Sequence, residues 1–325
     1  MRERVYRFDN LKLLLIVLVV FGHILSFVPN SLDKYTYIYT FHMPCFIFIT
    51  GYFAKFDRWN IILRLVYPYV LFQTLYNYFE IKEMLNTNYR HTYVIPYWIM
   101  WYLLTIIIYY IMLPLFDDEK YTNRILLFAG ALIGAIILAK DANIGEYFSL
   151  ARTLYFLPFF LAGFYIKDTK LYDKLNDIPW FFKVIYLLLV ALLTDIILGK
   201  NIINHIMLYG STNYQTAGYS PKIKIIIYAM AFAWVIGLVF IMPNIKIPFV
   251  TILGKGTLSV YLLHGFVVQL IHREVLQNRL VLTQGRAFGI AILLTVIFGN
   301  PLVARAFNFI CTGEWIKKTA AHIKK

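Results

Sequence analysis

Ten apolar runs, most of them close to the length that crosses a bilayer, follow one another along the chain with little polar sequence between them. A spanning helix needs about 20 mostly apolar residues. It must be a helix because no water is present in the bilayer core to satisfy backbone N–H and C=O groups. The runs lie at about 11–28, 36–54, 60–79, 95–115, 123–139, 152–166, 180–198, 223–242, 256–271 and 286–311, the fifth and sixth short and the last long. Breakers separate them at Pro29-Asn30, Asp117-Asp118-Glu119, Asn143 to Glu146, Pro179, Pro221, and Pro243 to Pro248. The longest polar connection, Gly199 to Lys222, is too short for a soluble domain, and no internal repeat is visible. The expectation is an all-α integral membrane protein, a bundle of about ten transmembrane helices. It forms one polytopic domain over 1–325, with a short basic cytoplasmic tail from about 312. The first run, Leu11 to Val28, is too long for a signal-peptide core and is followed by no small-residue cleavage site, so it is expected to be retained.

Composition enters where charge has to be explained. The chain is 60% hydrophobic and 15% charged, yet its net charge is +14. In a soluble protein that balance points to nucleic acid, but here no polar domain exists to carry a basic stripe. The charges sit in short loops and at the ends, where they set topology. An even number of spans places both termini on one side, and that side receives 20 Lys and Arg against 11 on the other. Both termini are therefore expected in the cytoplasm. Cys45 and Cys311 lie in separate apolar runs and read as core residues; no metal-ligand spacing is present.

Polar residues at membrane depth are costly and tend to be functional. His23 follows Lys12 by eleven residues, which is three helical turns plus about 20°, so both lie on one face about 16 Å apart along the axis. Asp9 neighbours Lys12 on that face if the helix starts early enough. His42, ahead of Pro44, falls at a depth similar to His23. Trp98, Trp101 and Tyr102 fall near that level on the fourth run, Arg152 opens the sixth, and the ninth places Tyr261 and His264 near mid-depth. Each has a plain structural alternative. A membrane histidine can bond a neighbouring helix, Trp101 and Tyr102 can be interface aromatics, and Arg64 and Arg152 can anchor to headgroups. Asp9 can simply pair with Arg7 or Lys12.

Four strings carry a resemblance: Arg7 to His23 (RFDNLKLLLIVLVVFGH), Tyr39 to Phe53 (YTFHMPCFIFITGYF), Arg152 to Lys167 (RTLYFLPFFLAGFYIK) and Leu253 to Phe266 (LGKGTLSVYLLHGF). In order and over most of the chain, they resemble the acyltransferase-3 family of membrane O-acyltransferases. Within that family they look most like the stand-alone polysaccharide O-acetyltransferases and the fucose 4-O-acetylase-like members. The family's basic residue, ten residues, then His is met by Lys12 and His23, with Lys where many members have Arg. The Arg-x-x-Arg pair found in many members after the second helix is not intact; Arg58 and Arg64 occupy that region at another spacing.

The resemblance implies transfer of an acetyl group from cytoplasmic acetyl-CoA, as co-substrate and with no metal, to a sugar hydroxyl of an envelope polysaccharide, capsule or lipid-linked precursor at a bacterial cell membrane. It implies His23 as general base, with His42 as partner or substrate ligand and Asp9, the neighbour of Lys12, counted with the catalytic set; an acetyl-His relay on His23 is the second option. Basic residues at the inner mouth (Arg7, Lys12, Arg58, Arg64) would hold the coenzyme phosphates. Arg152, Trp101, Tyr102, Tyr261 and His264 would face the sugar. The competing readings are a transporter of a glycan precursor or small organic acid, and a non-catalytic scaffold. A coupled transporter usually buries carboxylates in its spans, and here Glu80 and Asp195 sit near helix ends.

Overall fold

The computed structural model describes residues 5–83, 92–141, 145, 147–167, 169–311 and 315. Arg2, Arg4, Arg90, Asn143, Glu146 and the basic tail from about 312, Trp315 apart, lie outside the described residues. Every regular element among the described residues is helical. In chain order these are α1 (Tyr6–Leu25), α2 (Leu32–Tyr39), α3 (His42–Phe53), α4 (Arg58–Ile61), a π turn (Ile62–Val66), α5 (Tyr67–Glu83), a 3₁₀ turn (Trp98–Met100), α6 (Trp101–Phe116), α7 (Tyr121–Leu138), a second 3₁₀ turn (Tyr147–Ser149), α8 (Leu150–Ile166) and α9 (Lys170–Asp177). Then follow α10 (Trp180–Gly199), α11 (His205–Leu208), α12 (Tyr214–Ala217), α13 (Pro221–Ile241), α14 (Val250–Lys255), α15 (Thr257–Leu276), α16 (Gln284–Gly299) and α17 (Pro301–Cys311).

Six helical stretches among the described residues are long and apolar enough to cross a membrane: 6–25, 98–116, 121–138, 147–166, 180–199 and 221–241. The bent pair α16–α17, broken by 62°, makes a seventh if it is one span. The chain is thus an all-α multi-pass membrane protein, with six or seven such spans against the ten expected. The difference lies in three runs. The second is divided into α2 and α3, because Pro44 cannot donate the bond that a continuous helix needs and is tolerated only in the first turn of a fresh helix. The 12 residues of α3 rise only about 18 Å, against a hydrocarbon core of about 30 Å. The third run is interrupted by the π turn, and α15 carries Gln269, His272, Arg273 and Glu274 in its second half. The bend between α16 and α17 falls at Asn300-Pro301, where the proline disfavours helical geometry in the residue before it.

The bundle centre is where backbones come closest. α3 and α8 meet through Gly51 and Gly163: a methyl group on Gly51 would lie 2.1 Å from the carbonyl oxygen of Phe160, and one on Gly163 would lie 2.0 Å from that of Phe48. Small residues allow this approach, which in lipid supplies the packing that holds helices together. α1 is locked at its first turns. The Asn10 side chain donates to the carbonyls of Pro243 (3.2 Å) and Ile245 (3.1 Å) and accepts from Thr251 Oγ1 (2.8 Å). The connection from Gly199 to Lys222 folds back as α11 and α12, burying Met207, Leu208, Tyr214 and Ala217.

Candidate functional site

A cavity of about 260 Å³ runs between α1, α3, α6, α15 and the π turn. Its wall includes Lys12 and His23, together with His42, Trp101, Tyr102 and Tyr261. The same wall supplies both ends of the Lys12–His23 face, because α1 begins at Tyr6 and is helical through both positions. The early start also makes Asp9 a neighbour of Lys12: the ammonium lies 2.9 Å from the Asp9 carboxylate, which is itself buried.

The far end of the cavity is an aromatic and imidazole cluster. The half-buried His23 ring meets the edge of Trp98 at 4.6 Å between centroids and stacks on His264 at 5.5 Å, with 19° between their planes. Among the described residues no hydrogen bond holds the His23 ring. His42 and His264 are fixed differently. Each lies four residues after a backbone carbonyl that its Nδ1 meets, Ile38 O at 2.8 Å and Val260 O at 2.9 Å. A carbonyl only accepts, so in both rings Nδ1 carries the proton and Nε2 is left as an acceptor. His264 is fully buried behind His23, and its Nε2 has no partner among the described residues. His42 lines the cavity and packs against Tyr39, 4.6 Å between ring centroids.

The remaining wall is set by hydroxyls. Thr50 gives its one proton to Phe46 O (2.9 Å), so at the 2.8 Å contact with Tyr102 the phenol is the donor. Tyr261 donates to Ile99 O at 2.6 Å, tying α15 to the 3₁₀ turn that leads into α6. Arg152 does not line the cavity. Its guanidinium lies 5.1 Å from the centroid of the cavity-lining Trp101 ring and reaches Ser211 Oγ at 3.3 Å.

The expected site residues therefore separate into three groups. Lys12, His23, His42, Trp101, Tyr102 and Tyr261 meet around one cavity. Asp9, His264 and Arg152 stand directly behind it, each touching a lining residue. Arg7, Arg58 and Arg64 are not part of it. Arg7 is buried between α1, α9 and α13, where it donates to the Asn176 side chain and lies about 6 Å from the rings of Tyr172 (6.0 Å) and Phe240 (5.9 Å). Arg58 and Arg64 are exposed on α4 and the π turn. Sequence reasoning missed Tyr39, Met43, Thr50 and Leu65 on the cavity wall. Tyr39 and Met43 flank His42 in the second string, and Thr50 falls eight residues after it, two turns along the same helix face. Leu65 carries no signal, since its position depends on the π turn.

A multi-pass helical membrane protein with a largely apolar cavity, basic at one end and lined by imidazoles at the other, is the class that fold and site define. Residues 5–304 match the acyltransferase-3 family, described as an acyltransferase domain. The chain belongs to that family and is a membrane acyltransferase. No curated protein and no solved structure matches it.

Proposed function

We propose that this protein transfers an acetyl group from acetyl-CoA to a sugar hydroxyl of an envelope polysaccharide or its lipid-linked precursor, at the bacterial cell membrane with both termini cytoplasmic. The observation that carries the reading is the single cavity that touches Lys12 at one end and His23 at the other. The pantetheine arm enters from the Lys12 end and brings the thioester to the imidazoles. The separation of Lys12 and His23, about 16 Å along α1, is of the order of that arm's reach.

In this reading the acceptor oxygen attacks the thioester carbonyl carbon, His23 takes the hydroxyl proton, and the carbon–sulfur bond breaks to release the coenzyme as thiolate. His23 suits the base because a neutral imidazole carries a nitrogen lone pair that can take a proton, and among the described residues no hydrogen bond immobilises its ring. His42 offers its Nε2 as an acceptor to a substrate hydroxyl, Tyr102 and Tyr261 form the polar wall, and Trp101, with Arg152 against its ring, gives the sugar an apolar face. Among the described residues no carboxylate lines the cavity, which separates this arrangement from the buried-carboxylate sites of proton-coupled transporters.

The test is incorporation of labelled acetyl from acetyl-CoA into the envelope glycans of membranes carrying wild-type protein or His23→Ala. The expected result is a loss of about 10²–10⁴-fold at equal protein level, the usual worth of a general base. Undiminished acetylation by the alanine variant defeats the assignment.

A further inference from the structure

At the Lys12 end of the bundle a second cavity, about 350 Å³, opens between the ends of α3, α6 and α8 and the start of α7. Three cationic side chains line it, Lys55, Arg124 and Lys167, with one carboxylate, Asp117. They come from three separate stretches of chain, and as sequence each reads only as a topology charge. Topology asks for cations on one side of the membrane; it does not ask them to converge. Among the described residues three cations and one carboxylate converge on one pocket, an arrangement that suits an anionic ligand.

Arg124 is held in place by its surroundings. Its Nε donates to Asp118 O, its guanidinium lies 5.6 Å from the Tyr165 ring centroid, and Tyr165 OH in turn donates to Phe116 O at 2.9 Å. Asp118 fixes the turn that presents it, accepting from Asn123 Nδ2 (2.8 Å) and from Lys120 N (2.7 Å). Those hydrogen bonds hold the Asp118 carboxyl below the usual carboxylate range, so it stays an acceptor. A guanidinium fixed in orientation is the group that suits phosphate best.

The location matters as much as the charge. Ala54 and Pro114 wall this pocket, and they lie four residues beyond Thr50 and Tyr110, which wall the histidine-lined cavity. Four residues are about one helical turn, so the pocket continues the same faces of α3 and α6 toward the bundle end. Arg58 and Arg64, the residues first expected to hold phosphates, line neither cavity.

We propose that Lys55, Arg124 and Lys167 form a phosphate-binding site, and that its ligand is the phosphate portion of the acyl-CoA donor whose arm occupies the adjoining cavity. The proposal rests on the donor reading given above. An anionic lipid headgroup presents the same chemistry, and the experiment separates the two sources. Protein with Lys55→Gln, Arg124→Gln, Arg124→Lys or Lys167→Gln is placed in phosphatidylcholine nanodiscs. CoA binding is measured by calorimetry, and turnover is measured with acetyl-CoA and with S-acetyl-pantetheine, which has no phosphate.

Each charge removed is expected to weaken CoA binding and raise KM for acetyl-CoA about ten-fold, the scale of one charge-assisted hydrogen bond. kcat at saturation should hold, Arg124→Lys should lose less than Arg124→Gln, and the loss should be confined to the phosphate-bearing donor. Equal losses with both donors indicate a structural role and overturn the proposal. Unchanged CoA binding with loss of co-purifying phosphatidylglycerol, read by native mass spectrometry, overturns the donor assignment in favour of lipid. No change in either overturns the phosphate site. If wild-type protein binds CoA through these three charges yet transfers no acetyl group, the functional reading fails while this site stands.

Discussion

α1 and α10 are each 20 residues long and of similar mean hydropathy, 2.0 and 2.4, yet 61% of the apolar window of α1 is buried and only 11% of that of α10. The difference teaches that hydropathy locates a span but does not place it. Lipid tails and a protein interior are equally apolar, so no hydrophobic force sorts helices between centre and rim; close packing and polar contacts do. α1 turns Asp9, Asn10 and Lys12 toward partners and accepts the approach of α14 at Gly254, where an added methyl group would lie 2.0 Å from Asp9 O. α10 buries only Val190 and Thr194, the latter accepting from Trp234 Nε1 at 2.9 Å, and leaves Leu188, Leu189, Leu192 and Leu193 outward.

The contrast can be broken by substitution. The largest effect should come from His23 on α1: its alanine variant is expected to lose acetyl transfer as described above, whereas Thr194→Ala on α10 should keep acetyl transfer close to wild type in the same assay. If the α10 change cost as much, the division into a working centre and a lipid-facing rim would be wrong. Next, Gly254→Leu should lower stability by about 1–3 kcal/mol, because the new side chain meets backbone that cannot move without shifting α1. Thermal unfolding in detergent reads this, and an unshifted midpoint would mean that α14 does not position α1. Lys12→Gln should raise KM for acetyl-CoA about ten-fold with kcat within a factor of two, since it removes one charge at the cavity wall while leaving the imidazoles in place. The smallest effect belongs to Leu192→Ala and Leu193→Ala, each expected within about 0.5 kcal/mol of wild type because neither side chain leaves a packed core. A larger loss would mean that α10 is covered by a second protein surface.

Much of the site could be read early for a simple reason. The Lys12–His23 alignment uses only the fixed 3.6-residue period of one helix, and the structure needs nothing more to place both on one wall. The same arithmetic could not reach Arg64, which sits in a π turn that departs from the 3.6-residue period, or Arg58, which sits on the separate short helix α4 ahead of it. Nor could it find Lys55, Arg124 and Lys167, which are far apart in the chain and meet only because α3, α6 and α8 end together. Arg7, taken for a phosphate ligand from its position near the inner end, is instead buried against Tyr172 and Phe240.

What the sequence determined by itself is the all-helical membrane class, the boundaries of the long apolar helices to within a few residues, the family, and the pairing of a cation and an imidazole on α1. Those follow from local rules: the length of an apolar run, the turn of a helix, the order of short strings. Only the tertiary structure decided that the second run is broken at Thr40-Phe41 and the last at Asn300-Pro301, that α1 is central and α10 peripheral, and which cations share a pocket. These depend on how close two backbones can come and on what each polar group finds there, and no single stretch of chain carries that information.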